Sequence, residues 1–268
     1  MLNKIKIYFL LILNTHLFIL NKALVLNRTI LLSIYPNCEQ PGETTLWLSS
    51  RQITSIETNT FVVLTQLNSL SLQFNPLVEL DDPDLFKSLP QLKELNLFYC
   101  KLNHLNVDLF TSLTQLESLV MYYNEFDVLD ANQFVKLSQL KKLDIDGNKM
   151  TLLEPSLFQS LTQLKTLLLN RNKLTSLPLT IFESLSQLEY LNLESNMLHT
   201  LEHNLFKGLT NLKTLHLGYN QIISIDRNIF VGLVNLESVY LSGNIISQVQ
   251  PSLVAQLCST NPVCKIFV

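Results

Sequence analysis

Residues 92–115 read L-K-E-L-N-L-F-Y-C-K-L-N-H-L-N-V-D-L-F-T-S-L-T-Q. Reduced to its apolar frame, the block is L-x-x-L-x-L-x-x-C-x-L-x-x-L-x-x-x-x-F-x-x-L-x-x. The same frame restarts at Leu116, Leu140, Leu164, Leu188, Leu212 and Leu236, each step being 24 residues. Self-similarity at a fixed period of this length marks a repeat architecture, in which each unit buries its apolar side only against its neighbours.

Immediately before that block, residues 67–91 form a turn with one extra residue, in the stretch Asp81, Asp82, Pro83, Asp84. The surplus is expected on the return side. Residues 43–66 form a degenerate first turn, with Glu43 at the first leucine position and Arg51 where later turns carry Asn. Terminal repeats are atypical because one side faces solvent. The reading gives nine turns over 43–259, a lead-in loop at 36–42 and a short remainder at 260–268 that looks like the start of a C-terminal cap.

The fold class expected is an α/β solenoid: a right-handed superhelix with a parallel concave β-sheet and short helical or irregular convex segments. A short strand sits at each L-x-L, with strands about 4.8 Å apart and alternate residues pointing in and out. Two recurring columns support the turns from inside. Phe61, Phe86, Phe110, Phe134, Phe158, Phe182, Phe206 and Phe230 read as core, because equivalent positions stack and Phe buries a large area. Asn75, Asn124, Asn148, Asn172, Asn196, Asn220 and Asn244 read as bridges. A side-chain amide both donates and accepts, and can satisfy backbone groups where the chain leaves each strand. Cys100 replaces Asn in one turn and reads as buried and unreactive.

The whole chain has 268 residues, 15% charged, with a formal net charge of −3. That balance gives no reason to expect a nucleic-acid partner. Residues 1–35 are rich in apolar side chains behind Lys4 and Lys6. A basic start followed by an apolar core describes a secretory signal, and an amphipathic cap or a membrane anchor are the alternatives. Asn27-Arg28-Thr29 is a glycosylation sequon, relevant if it reaches a lumen.

The frame resembles the typical 24-residue class of leucine-rich repeats, with residues 164–187, including Pro178, near consensus. Proteins of that class include Slit-like guidance proteins, Toll-like receptor ectodomains and variable lymphocyte receptors. The resemblance implies an exported or membrane-facing, non-enzymatic protein that binds a protein or other macromolecule on its concave face, without a cofactor. It also implies cysteine-rich caps. Cys258 and Cys264 are candidates for a bridge in such a cap, while the sequence leaves the pairing of Cys38 open.

The outward positions give the candidate binding residues. Phe74, Phe98, Tyr99, Val120, Tyr122 and Tyr123 gather on three successive turns, as a protein-binding hot spot requires. Asp144 and Asp146 are expected as their acidic rim. Trp47, Tyr190, His216, Tyr219 and Tyr240 complete the set. Other classes are an intracellular scaffold, a structural matrix protein, and a hydrolase using Glu194, His216 and Ser242 on adjacent turns. Asp146, Asn170 and Glu194 form an oxygen-bearing column, but a hard cation needs six to eight oxygens. No metal site is expected.

Overall fold

A computed structural model describes residues 23–36, 38, 44–226, 228–246 and 265–267. The remainder of the 1–35 segment, Arg227, the end of the ninth turn and the candidate bridge Cys258–Cys264 lie outside the described residues.

Ten parallel strands form the main sheet. Nine stand at the expected L-x-L positions: β2 (Thr45–Trp47), β4 (Ser69–Ser71), β6 (Glu94–Asn96), β8 (Ser118–Val120), β9 (Lys142–Asp144), β10 (Thr166–Leu168), β11 (Tyr190–Asn192), β12 (Thr214–His216) and β13 (Ser238–Tyr240). Equivalent residues pair in register, for example Leu143 with Leu167 and Leu167 with Leu191. The turn with the surplus residue keeps that register, since Leu70 pairs with Leu95. Asp81 and Asp84 are exposed on its return path. The chain is thus a parallel-strand solenoid with little helix. Between β4 and β13 the described return segments are turns and irregular chain, apart from β5 (Glu79–Leu80) and β7 (His104–Leu105), which pair in parallel on the return side.

The spine is built as the two columns require. All eight phenylalanines of the column are buried, and three neighbouring pairs stack, with centroids 6.3 Å apart for Phe61 and Phe86, 6.4 Å for Phe110 and Phe134 and 6.1 Å for Phe182 and Phe206. Each Asn ties its turn to the one before. Asn124 Nδ2 donates to Leu97 O (2.8 Å) and Met121 O (2.9 Å), while Oδ1 accepts from Cys100 N (2.9 Å) and Leu102 N (3.0 Å). Asn172 and Asn220 repeat the two donations, and each Oδ1 accepts from one amide, Met150 N and Leu198 N respectively. At Cys100 the thiol donates to Leu72 O (3.2 Å), and burial pushes its pKa up to about 12. It is therefore held as a neutral donor, not a nucleophile.

Both ends depart from the sequence reading. Within the segment read as 1–35, the described residues start at Ala23. From there the chain is folded: β1 (Leu24–Leu26) pairs with β3 (Ile53–Ile56), and α1 (Arg28–Ile34) follows, with Leu26 and Leu31 fully buried in the shared core. Apolar residues that would suit a leader here cover the open end of the spine. Tyr35 donates its hydroxyl to Trp47 O, and Arg51 lies 5.8 Å from the Tyr35 ring centre. At the other end, β14 (Lys265–Phe267) adds a tenth strand beside β13. Among the described residues no helix is long and apolar enough to cross a membrane.

Candidate functional site: the aromatic face of the sheet

The site begins with a backbone feature repeated in all nine turns. The residue just before the Asn position has positive φ: Ser50, Phe74, Tyr99, Tyr123, Gly147, Arg171, Ser195, Tyr219 and Gly243, with values from 50° to 76°. The left-handed conformation is unfavourable for bulky residues. Here it is held because the amide continues the sheet ladder: Phe74 N donates to Phe98 O, Tyr123 N to Asp146 O and Tyr219 N to Ser242 O, at 2.8–2.9 Å. The turn inverts the chain so that Asn enters the spine. The preceding side chain is then left on the outside. Four of the nine are aromatic.

Three of those four support the first cluster. Phe98 and Tyr122 stack with centroids 3.9 Å apart and planes 14° from parallel. Phe74 meets Phe98 edge-on at 4.7 Å, and Tyr99 and Tyr123 lie within 5.6–6.2 Å of the stacked pair. Phe74, Tyr99 and Tyr123 are exposed, while Phe98, Val120 and Tyr122 are half-buried. The structure therefore brings together the five rings that the sequence grouped, while Val120 lies in β8 beside Asn96 and Asp144.

Gly147 supplies the seat for Tyr123. A Cβ on Gly147 would stand 2.4 Å from Tyr123 Cδ1, so only glycine lets the ring lie across the next turn. Gly243 does the same for Tyr219, at 2.7 Å. Two glycines at the position before Asn were the signal in the sequence for both the left-handed turn and the seated ring.

The structure corrects the expected acidic rim. Asp144 and Asp146 are 7% and 8% exposed, sunk in the face instead of standing on it. Asp144 lies in register between Val120 and Leu168, whose aliphatic side chains exclude water. Burial lifts its pKa to about 6, against the opposing pull of Lys142 Nζ at 4.0 Å, and neighbouring Asp146 lifts it further. Asp146 is also raised by burial, opposed by Arg171 Nη1 at 3.1 Å from Oδ2, and its Oδ1 has no hydrogen-bond partner among the described residues. Burial, then the charges of Asp144 and Asp146, raises the Tyr122 phenol, which stays protonated at neutral pH.

A second aromatic column runs along the other end of the sheet. His216 and Tyr240 stack at 4.2 Å with planes 4° apart, Tyr240 and Phe267 stack at 4.5 Å and 5°, and Tyr190 tilts against His216 at 5.3 Å. The imidazole is half-buried, and that burial lowers its pKa against the pull of Glu194, whose Oε2 is 3.6 Å from Nδ1. Glu194 and His216 thus meet, but no hydrogen bond joins His216 to Ser242 among the described residues. The ring instead packs on Tyr240. Trp47 is exposed on the edge strand β2, and Tyr219 stands out beside the second column. Among the described residues no group of three His, Cys, Asp or Glu side chains could hold a metal ion.

Sequence reasoning missed a charged ladder along the strand starts. Glu117 is 3.9 Å from Lys93 and 2.7 Å from Lys141, and Glu189 is 3.1 Å from Lys165 and 2.7 Å from Lys213. Every member is exposed or nearly so, where pairs add little to stability.

Comparison with known proteins agrees with this geometry. The leucine rich repeat family profile matches residues 44–102, 90–150, 138–198 and 186–246. Reticulon-4 receptor-like 2 of Rattus norvegicus is 33% identical over 84 residues, covering 31% of this chain and 20% of that protein. A leucine-rich repeat protein of Leptospira interrogans is 30% identical with a TM-score of 0.69, over 81% of this chain and 52% of that one. TLR13, in its complex with ssRNA13, is 26% identical with a TM-score of 0.64, over 75% of this chain and 31% of that one. The chain spans from a fifth to about half the length of these relatives. One of them is solved with RNA, so near-neutral charge alone does not remove nucleic acid from the ligands this fold accepts. From Thr44 to Ile246 the profile follows the same strands and Asn turns that build the sheet, and the chain belongs to the leucine-rich repeat family.

Proposed function

We propose that the protein is an exported, non-enzymatic binder that recognises a protein partner on the concave face of its sheet, through the cluster Phe74, Phe98, Tyr99, Tyr122 and Tyr123. The observation that carries this reading is the set of three exposed rings held at positive φ around a stacked pair. Rings that do not enter the spine contribute nothing to its packing, yet they occupy strained backbone positions. Rigid, amphipathic aromatics fixed before contact lose little freedom on binding and dominate interface energetics. The receptor-like relative supports the exported reading, and the leucine-rich repeat fold is itself suited to protein binding.

The test is capture of partners from extracellular fluid by the intact protein, alongside a variant carrying Tyr122→Ala and Tyr123→Ala. Loss of two hot-spot rings should weaken the captured interaction about 30-fold or more. Unchanged affinity in a variant with an unaltered melting curve would remove this patch from the account. Adding ribonuclease to the capture separates a protein partner from one held through RNA.

A further inference from the structure

We propose that the mature protein carries an N-linked glycan on Asn27. This rests on the reading that the chain is exported. The sequence alone leaves the sequon ambiguous, because residues 1–35 as a whole read as a removable leader. The fold resolves that ambiguity in favour of retention.

Three observations place Asn27 inside the folded body. Leu26 and Leu31, on either side of it, are fully buried in the same core as the repeat leucines. Leu24 N donates to Gln52 O (2.9 Å), while Leu26 O accepts from Glu57 N (2.9 Å) and Thr60 Oγ1 (3.1 Å). A cut after Tyr35 would strip β1 and α1 from the end of the spine and expose its apolar cross-section to water. A leader removed on export therefore ends before Leu24, and the sequon stays.

The local geometry is compatible with the modification. Asn27 is half-buried with an extended backbone, φ −129° and ψ 174°. Its Oδ1 accepts from Ile30 N at 3.0 Å. No hydrogen bond engages Nδ2 among the described residues, so that atom is available. Thr29 is exposed. The acceptor sits beyond β1, which pairs with β3 and is no part of the ten-stranded sheet. Beside it Arg28, Glu57, Thr58 and Asn59 line a depression in the first turn. A sugar there leaves the aromatic face open and shields the end of the solenoid.

The step is an amide glycosylation from a lipid-pyrophosphate-linked oligosaccharide. Nδ2 forms a bond to C1 of the donor sugar, the bond from C1 to the pyrophosphate oxygen breaks, the amide gives up one proton, and the lipid pyrophosphate leaves. No oxidation or reduction takes place.

The full chain is expressed in a eukaryotic secretory host with Asn27→Asp and Thr29→Ala versions. Asn27→Asp keeps the oxygen that accepts from Ile30 N and removes the acceptor nitrogen. Thr29→Ala keeps Asn27 whole. The expected result is a gain of one glycan mass on the native chain, absent from both variants. Release by a peptide amidase in ¹⁸O water should leave a labelled Asp at 27, and the N-terminus of the product should lie before Leu24. Secreted or lumenal protein with an unmodified Asn27 overturns this inference and leaves the export reading intact. A product beginning after Asn27 does the same. Unglycosylated protein confined to the cytosol overturns both.

Discussion

The two aromatic clusters use similar residues, on one sheet, four strand steps or about 19 Å apart from β8 to β12, yet they are held differently. In the first, Phe74, Tyr99 and Tyr123 occupy the left-handed position and project from the turn, so exposure is imposed by the backbone. In the second, His216, Tyr240 and Phe267 lie in adjacent strands and satisfy one another face to face. The first leaves three rings open to solvent, while the second covers most of its ring surface by stacking. Ring composition alone therefore does not separate exposed rings from stacked ones. The backbone position from which each ring departs does.

The first cluster is most sensitive to a change at Gly147. Gly147→Ala places a Cβ into the Tyr123 ring and forces a side chain into φ +62°. A stability loss of about 2–4 kcal/mol is expected from overpacking plus left-handed strain, read by denaturant unfolding, together with a changed Tyr123 environment by NMR. A loss without movement of Tyr123 would mean the glycine serves only the turn. Asn148→Ala tests the part that both clusters share. Leaving the backbone groups of Phe126, Met121 and Ile145 without their side-chain partner should lower stability by about 1–3 kcal/mol. Asn220→Ala should match it, and an unchanged midpoint in either would count against the Asn ladder.

Acid should act on the two clusters with opposite sign. Asp144 has a folded pKa near 6, above its ordinary value of 3.8, so the folded state holds the extra proton between those values and stability falls as pH rises through that window. Asp144→Asn, which retains an oxygen for Asp146 N, should therefore stabilise by about 1–2 kcal/mol at pH 7 and by nothing near pH 4. His216 is depressed from 6.5 by burial, so its share of stability is complete above that value and is lost as pH falls through its folded pKa. His216→Phe should flatten that loss. Matching pH profiles for native protein and both variants would show that neither group is sunk as described. The smallest expected effect is Gly208→Ala: φ is +93° but nothing lies within 4 Å of the new Cβ, so only backbone strain of about 1 kcal/mol remains. A Gly208→Ala loss as large as that at Gly147 would remove the ring from the explanation.

Much of the scaffold was legible because period 24 is a one-dimensional signal. Leu95, Leu119 and Leu143 fall into register by counting, and Phe110 meets Phe134 for the same reason. The first cluster was legible too, since Phe98 and Tyr122 occupy the same position in consecutive turns. What counting could not supply was depth. Asp144 looks outward by alternation, yet its cross-strand neighbours Val120 and Leu168 decide that it is dry. Reading down the column, an acid between two aliphatics would have suggested it. The N-terminal end was not legible because Leu24, Leu26 and Leu31 serve equally well in a leader and in a core. Their partner, Ile53–Ile56, is recognisable only once the turn is folded.

The left-handed position before each Asn has a longer consequence. Its side chain is disconnected from the spine: Tyr, Phe, Arg, Ser and Gly all occupy it while the leucines and Asn behind them remain in register. Selection can therefore rewrite one surface letter per turn without renegotiating the interior. A chain of this kind can drift from one ligand to another through single exchanges, and the seated pairs Tyr123 with Gly147 and Tyr219 with Gly243 are the places where two such exchanges must arrive together.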